Sequence, residues 1–140
     1  FQLQKVGLAP ELAALLANPH ILKAGVALTR DLRDLRALRE FQPAGFVELG
    51  TLAAARGIPH NGLRGLAAAV LGCRISKSAQ LTNWAQPDLP PRALEYAATD
   101  AWIGRQLYLA LAPQPAPAAK AGAAAPLWRR IYRVITRKIG

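Results

Sequence analysis

The sequence predicts an α/β fold in which strands alternate with helices. Three observations carry this: strand-length segments at residues 1–6, where apolar and polar residues alternate, at 21–28, which is almost continuously apolar, and at 46–49; apolar residues at helical spacing between them; and Gly or Pro at most junctions. Alternation of this kind builds a sheet with helices packed against it. A chain of 140 residues, 52% of them hydrophobic, is long enough for one compact domain and its core.

Residues 1–6 alternate Phe, Leu and Val with Gln and Lys, the period of a half-buried strand, and Gly7 ends it. Pro10 suits the first turn of a helix whose Leu12, Leu15 and Leu16 share a face, and Asn18-Pro19 supplies the stop. Residues 21–28 are almost continuously apolar, which predicts a central strand buried on both faces. Leu32, Leu35 and Leu38 then recur with Arg33, Arg36 and Arg39 between them, so an amphipathic helix with a basic outer face follows. Residues 46–49 form a short strand or extended lead into a helix over 50–55, and 62–71 form another helix closed by Gly72. Residues 73–90 are irregular and polar, and Pro90-Pro91 opens a long helix over about 92–111.

The domain is expected over residues 1–112. Residues 113–126 are too rich in Pro, Ala and Gly to hold a core, which marks a linker. Residues 127–140 would form a short helix with Trp128, Ile131, Tyr132, Ile135 and Ile139 on one face and Arg129, Arg133 and Arg137 on another.

Charge points to a polyanion. The net charge is +10, and its distribution is uneven: residues 1–112 carry 12 basic and 8 acidic groups, residues 113–140 six basic and none acidic. Such an excess attracts nucleic acid or an anionic membrane surface. Basic amphipathic helices serve membranes, partner proteins and nucleic acid alike, so all three stay open for the tail. No apolar run reaches the roughly 18–20 residues of a membrane span, and FQLQKVG lacks the build of a signal peptide. A soluble, intracellular protein is expected, and the single Cys73, set among small apolar residues, fits a reducing compartment. The chain has no Met and opens at Phe1 in mid-pattern, so further sequence is expected upstream.

Few chemistries remain. The sequence holds no P-loop, GxGxxG, CxxC or HExxH, and its two histidines, His20 and His60, lie near turn signals without a carboxylate partner nearby in sequence. Carboxylate chemistry is left, and two of the eight acidic residues stand out. Asp31 follows the apolar run at a strand-to-helix turn, where open α/β sheets place functional groups; the competing role is a plain N-cap for a helix starting at Leu32. Asp100 lies inside the long helix, in LEYAATDAWIG, one turn after Tyr96 and on its face. Asp favours caps and turns over helix interiors, although a solvent-facing Asp beside a half-buried Tyr would also fit.

The segments LKAGVALTRDLRDL, GFVELGTLAAARGI, GLRGLAAAVLGCRISKS, TNWAQPDL and YAATDAWIGRQLY resemble, in order and spacing, the ribonuclease D and Werner-type exonuclease domains, over residues 1–112. Tyr96 and Asp100 match the Tyr-x-x-x-Asp of the third exonuclease motif, and Asp31 matches the carboxylate of the second, 69 residues earlier. The resemblance implies a ribonuclease H-like mixed sheet flanked by helices. It implies a 3′-5′ exonuclease in which four carboxylates hold two Mg²⁺ or Mn²⁺ ions, with Asp31 and Asp100 as ligands and Tyr96 orienting the attacking water at DNA or RNA 3′ ends. Two hard cations roughly 4 Å apart suit this reaction, since they polarise the phosphate and stabilise the leaving oxygen. The Asp-x-Glu of the first motif has no counterpart in the sequence, so the fold should lack its first strands and the chain alone should be inactive. A non-catalytic nucleic-acid-binding module of the same fold is the alternative. Lys77 matches the loop before the third motif and could contact phosphate, as could Arg129, Arg133 and Arg137, while Trp84 is either a packing residue or a base-stacking platform.

Overall fold

The computed structural model describes residues 1–76 and 82–113. Two parallel strands, β1 (Lys23–Gly25) and β2 (Phe46–Glu48), pair with Lys23 opposite Phe46, Ala24 opposite Val47 and Gly25 opposite Glu48. Helices precede, join and follow them: α1 (Leu3–Val6), α2 (Pro10–Ala17), α3 (Leu28–Leu38) between the strands, α4 (Leu49–Ala54), α5 (Leu63–Leu66) and the 21-residue α6 (Pro91–Leu111). A π-helical turn, Ala67–Leu71, continues α5 and ends at Gly72 with φ +69°, the left-handed conformation expected of a closing glycine. The α/β alternation is thus present, with a small parallel sheet flanked by helices.

Three local expectations are corrected. Residues 1–6 do not form a strand: Leu3–Val6 is a helical turn closed by bonds from Lys5 N to Gln2 O (2.9 Å) and Gly7 N to Leu3 O (2.7 Å). Alternation alone cannot hold a strand that has no neighbour to pair with, so the backbone satisfies itself locally. The run 21–28 supplies only Lys23–Gly25 to the sheet, half-buried, while Ile21 and Leu22 are exposed. Ala27, at φ 58° and ψ 38°, turns the chain into α3, so that helix begins at Leu28 and Asp31 is not its N-cap but a residue of its first turn.

The other elements fall within a residue or two of their predicted places because their signals are local. Pro10 opens α2 and Pro91 opens α6, each where its missing N–H would have no helical partner. Polar side chains finish several helices. Lys23 Nζ donates to Leu15 O (3.2 Å) and Asn18 O (2.7 Å) at the end of α2, and Arg56 donates to Ala110 O (2.8 Å) and Ala112 O (2.9 Å) at the end of α6. Gly45, at φ +67°, lets the chain turn into β2; a Cβ there would lie 2.5 Å from Ile21 O.

Two apolar clusters hold the fold. The larger joins Leu49 and Ala53 of α4, Leu66 and Ala67 of the α5 segment, and Ile103, Leu107 and Leu111 of α6, all buried. The smaller joins Leu8, Ala13 and Phe41, with Leu12 and Leu16 of α2 and Leu32 and Leu35 of α3 packed against it. Leu15, assigned to the same apolar face as Leu12 and Leu16, is exposed, as is Leu38. Where α6 crosses the sheet the buried Gly104 lies against β1, its Cβ position 3.6 Å from Ala24 O. Among the described residues no helix is long and apolar enough to cross a membrane.

Candidate active site on the long helix

Tyr96, Asp100 and Gly104 recur at four-residue spacing, so they share the face of α6 that Gly104 lays against β1. Asp100 is drawn inward by this placement. Its Oδ1 is buried and has no hydrogen-bond partner among the described residues. Burial pushes its carboxyl above the usual aspartate range, while a hydrogen bond with the Tyr96 side chain and the positive charge of Arg64 pull the other way without cancelling the rise. Asp100 is thus half-buried, with one carboxylate oxygen turned inward, and the half-buried Tyr96 is in contact with it.

Arg64 enters from α5, which packs on α6. Its Nη1 is buried without a hydrogen-bond partner among the described residues, so an orphaned donor and an orphaned acceptor occur in neighbouring side chains. Trp84 packs on the other partner of the pair: its ring lies 6.2 Å from that of Tyr96, tilted by 46°. Edge-tilted aromatic pairs at this spacing are favourable, so Trp84 packs on Tyr96 while 40% of its surface remains exposed.

Asp31 sits in the first turn of α3 with its side chain exposed. Among the described residues it makes no ion pair or hydrogen bond with Tyr96, Asp100 or Arg64, and no group of three or more His, Cys, Asp and Glu side chains gathers as a metal cage. Its neighbour Asp34 is instead tied to Arg30 (3.7 Å) and Arg33 (3.1 Å) on the outer face of the helix. Lys77, Arg129, Arg133 and Arg137 lie outside the described residues, as do the linker from residue 114 and the basic tail. His20 and His60 are exposed loop residues, and Cys73 is a half-buried free thiol against the larger cluster.

Two residues of this region escaped sequence reasoning. Arg64 is a lone charge in an otherwise apolar helix, a signal that was legible. Glu48 ends β2 and its carboxylate accepts from Ala27 N (3.1 Å), Leu28 N (3.0 Å) and Gly50 N (3.2 Å). No local pattern announces that contact, because Ala27 and Leu28 lie 21 and 20 residues away.

Two parallel strands joined by a helix, with a long helix laid on them that carries a half-buried aspartate, make the α/β arrangement of a ribonuclease H-like nuclease. Residues 1–115 match the model of the 3′-5′ exonuclease family, and the chain belongs to that family. It is 38% identical over 98 residues to ribonuclease D of Haemophilus influenzae, a match covering 68% of this chain and 24% of the relative, so the chain spans about a quarter of that protein's length. A solved apo nuclease superposes with a TM-score of 0.66 at 27% identity, over 74% of this chain and 51% of that one. The EXD2 exonuclease domain soaked in Mn is 28% identical over 90% of this chain and 61% of that one, with a TM-score of 0.38.

Proposed function

We propose that this chain supplies two carboxylates, Asp31 and Asp100, and the water-orienting Tyr96 to a metal-dependent 3′-5′ exonuclease that hydrolyses phosphodiester bonds at nucleic-acid 3′ ends. The observation that best supports this is the buried, unpartnered Oδ1 of Asp100 in a carboxyl whose burial opposes ionisation. An orphaned carboxylate oxygen is a natural ligand for a hard divalent cation, so the residues present fit Mg²⁺ or Mn²⁺. Asp31 and Asp100 would hold it, and when bound it supplies positive charge against the phosphate and the leaving 3′-oxygen.

The chain's own residues do the rest. Asp100 must be ionised to bind a cation, and Arg64 and Tyr96 favour that form against the penalty of burial. With its proton given to Asp100, the Tyr96 hydroxyl keeps lone pairs free to accept from the attacking water and aim it. Trp84 limits the movement of the Tyr96 ring.

Two carboxylates cannot offset four positive charges placed close together, and they offer too few oxygens for two cations. The sequence contains no Asp-x-Glu to complete the set. By itself the chain is therefore expected to hold one ion weakly and to leave a 3′-labelled oligonucleotide uncut in Mg²⁺ or Mn²⁺. A form carrying an Asp-x-Glu strand ahead of Phe1 should cut it, and Tyr96→Phe in that form should lower the rate roughly 10–100-fold with the fold intact. Equal rates with and without the added strand would refute the ligand assignment; binding without cutting in both forms would favour the non-catalytic module.

The basic tail is assigned to the same polyanion, on the strength of six basic and no acidic residues after position 112. Removing residues 113–140 should weaken binding to single strands and reduce the slope of log affinity against log salt by up to about 4, at about 0.7 for each phosphate that the tail no longer neutralises. A membrane or protein target for the tail would leave the slope unchanged.

A further inference from the structure

We infer that Glu48 is a positioning residue for Asp31: its carboxylate fixes the first turn of α3 and so sets where the Asp31 side chain stands. The inference rests on the reading of Asp31 as a cation ligand. Asp31 is exposed and, among the described residues, its side chain has no hydrogen-bond or salt-bridge partner, so its place is set by its backbone alone. That backbone begins badly. The residue before α3 is Ala27, which has no side-chain oxygen to cap the helix and which holds a left-handed conformation, the one non-glycine residue to do so among those described. Alanine keeps such a conformation only where its surroundings enforce it.

Glu48 is what enforces it. It ends β2 directly across from Gly25 of β1, two residues before Ala27, so its side chain reaches the strained turn without crossing the sheet. Oε1 accepts from Ala27 N (3.1 Å) and Gly50 N (3.2 Å), and Oε2 accepts from Leu28 N (3.0 Å). One carboxylate thus satisfies orphan donors at the starts of both α3 and α4, where the helix dipoles favour negative charge. Both carboxylate oxygens of Glu48 are thus engaged by backbone N–H groups, and neither salt bridge among the described residues involves it. From Leu28 to Asp31 the chain advances only about 4.5 Å of helix, too short to absorb a shift at its start.

The test is Mn²⁺ affinity of the full chain, followed by electron paramagnetic resonance well below the unfolding temperature, with backbone amide exchange as the second readout. Glu48→Gln preserves shape and the Oε1 acceptor but can turn a donor toward Leu28 N–H. It should weaken Mn²⁺ binding about 10-fold, the scale on which an outer partner of a metal ligand acts, and speed exchange at Leu28 but not within α6. Adding Ala27→Gly, which adopts the left-handed turn without a Cβ penalty, should recover part of the affinity, a rescue that general destabilisation would not give. In the Asp31→Ala background Glu48→Gln should have no further effect. Weakening by Asp31→Ala without weakening by Glu48→Gln, or full additivity of the two, overturns the positioning role alone. Unchanged Mn²⁺ affinity in Asp31→Ala overturns the metal reading and this inference together.

Discussion

Asp100→Asn should abolish hydrolysis in the form that carries an added Asp-x-Glu strand, and at the same time make the metal-free protein more stable at neutral pH. The rate loss should exceed the roughly 10–100-fold that follows removal of a mere outer partner of a metal ligand, because a first ligand is lost. The gain in stability follows from the raised carboxyl. Relative to its ordinary value of 3.8, the folded protein binds the Asp100 proton more tightly than the unfolded chain does. The stability contributed by this group is therefore fully present below the ordinary value and is lost as pH rises through the raised folded value. Asn carries no charge to desolvate, so the melting temperature of Asp100→Asn should exceed that of the native chain at neutral pH, and the difference should narrow as pH falls toward 3.8. Thermal melts at several pH values, with and without Mn²⁺, separate the two effects: Mn²⁺ should stabilise the native chain only. A variant that melts lower at neutral pH, or still responds to Mn²⁺, contradicts the assignment.

Leu107→Ala should cost about 2–5 kcal/mol, a large share of the roughly 5–15 kcal/mol that holds a typical domain folded. Leu107 is fully buried where α6 meets α4 and the α5 segment, beside Leu49, Leu66 and Ile103. Truncation there leaves a cavity between three helices that cannot all close on it. Leu94, on the same helix, is 55% exposed, so Leu94→Ala should shift stability by less than about 0.5 kcal/mol. Urea unfolding of the two variants beside the native chain gives the comparison. Similar midpoints for both would mean that the larger cluster is not what holds α6 in place, and with it Tyr96 and Asp100.

The sequence by itself determined what local chemistry can specify. Pro10 and Pro91 start helices because proline loses nothing at a first turn, and Gly72 ends one because the left-handed region suits glycine. The four-residue spacing of Tyr96 and Asp100 places them together on any helix, so that half of the candidate site was legible before any fold was known. Tertiary structure decided the rest. The alternating segment 1–6 and the apolar run 21–28 look like strands, yet a strand exists only where a neighbour takes its hydrogen bonds, and β2 pairs with no more than Lys23–Gly25. Asp100 could have faced solvent or core until the crossing at Gly104 and Ala24 turned it inward and burial shifted its carboxyl. Glu48 and Arg64 act on elements other than their own, and such contacts are set by how β2, α3, α5 and α6 pack, which no periodicity along one segment encodes.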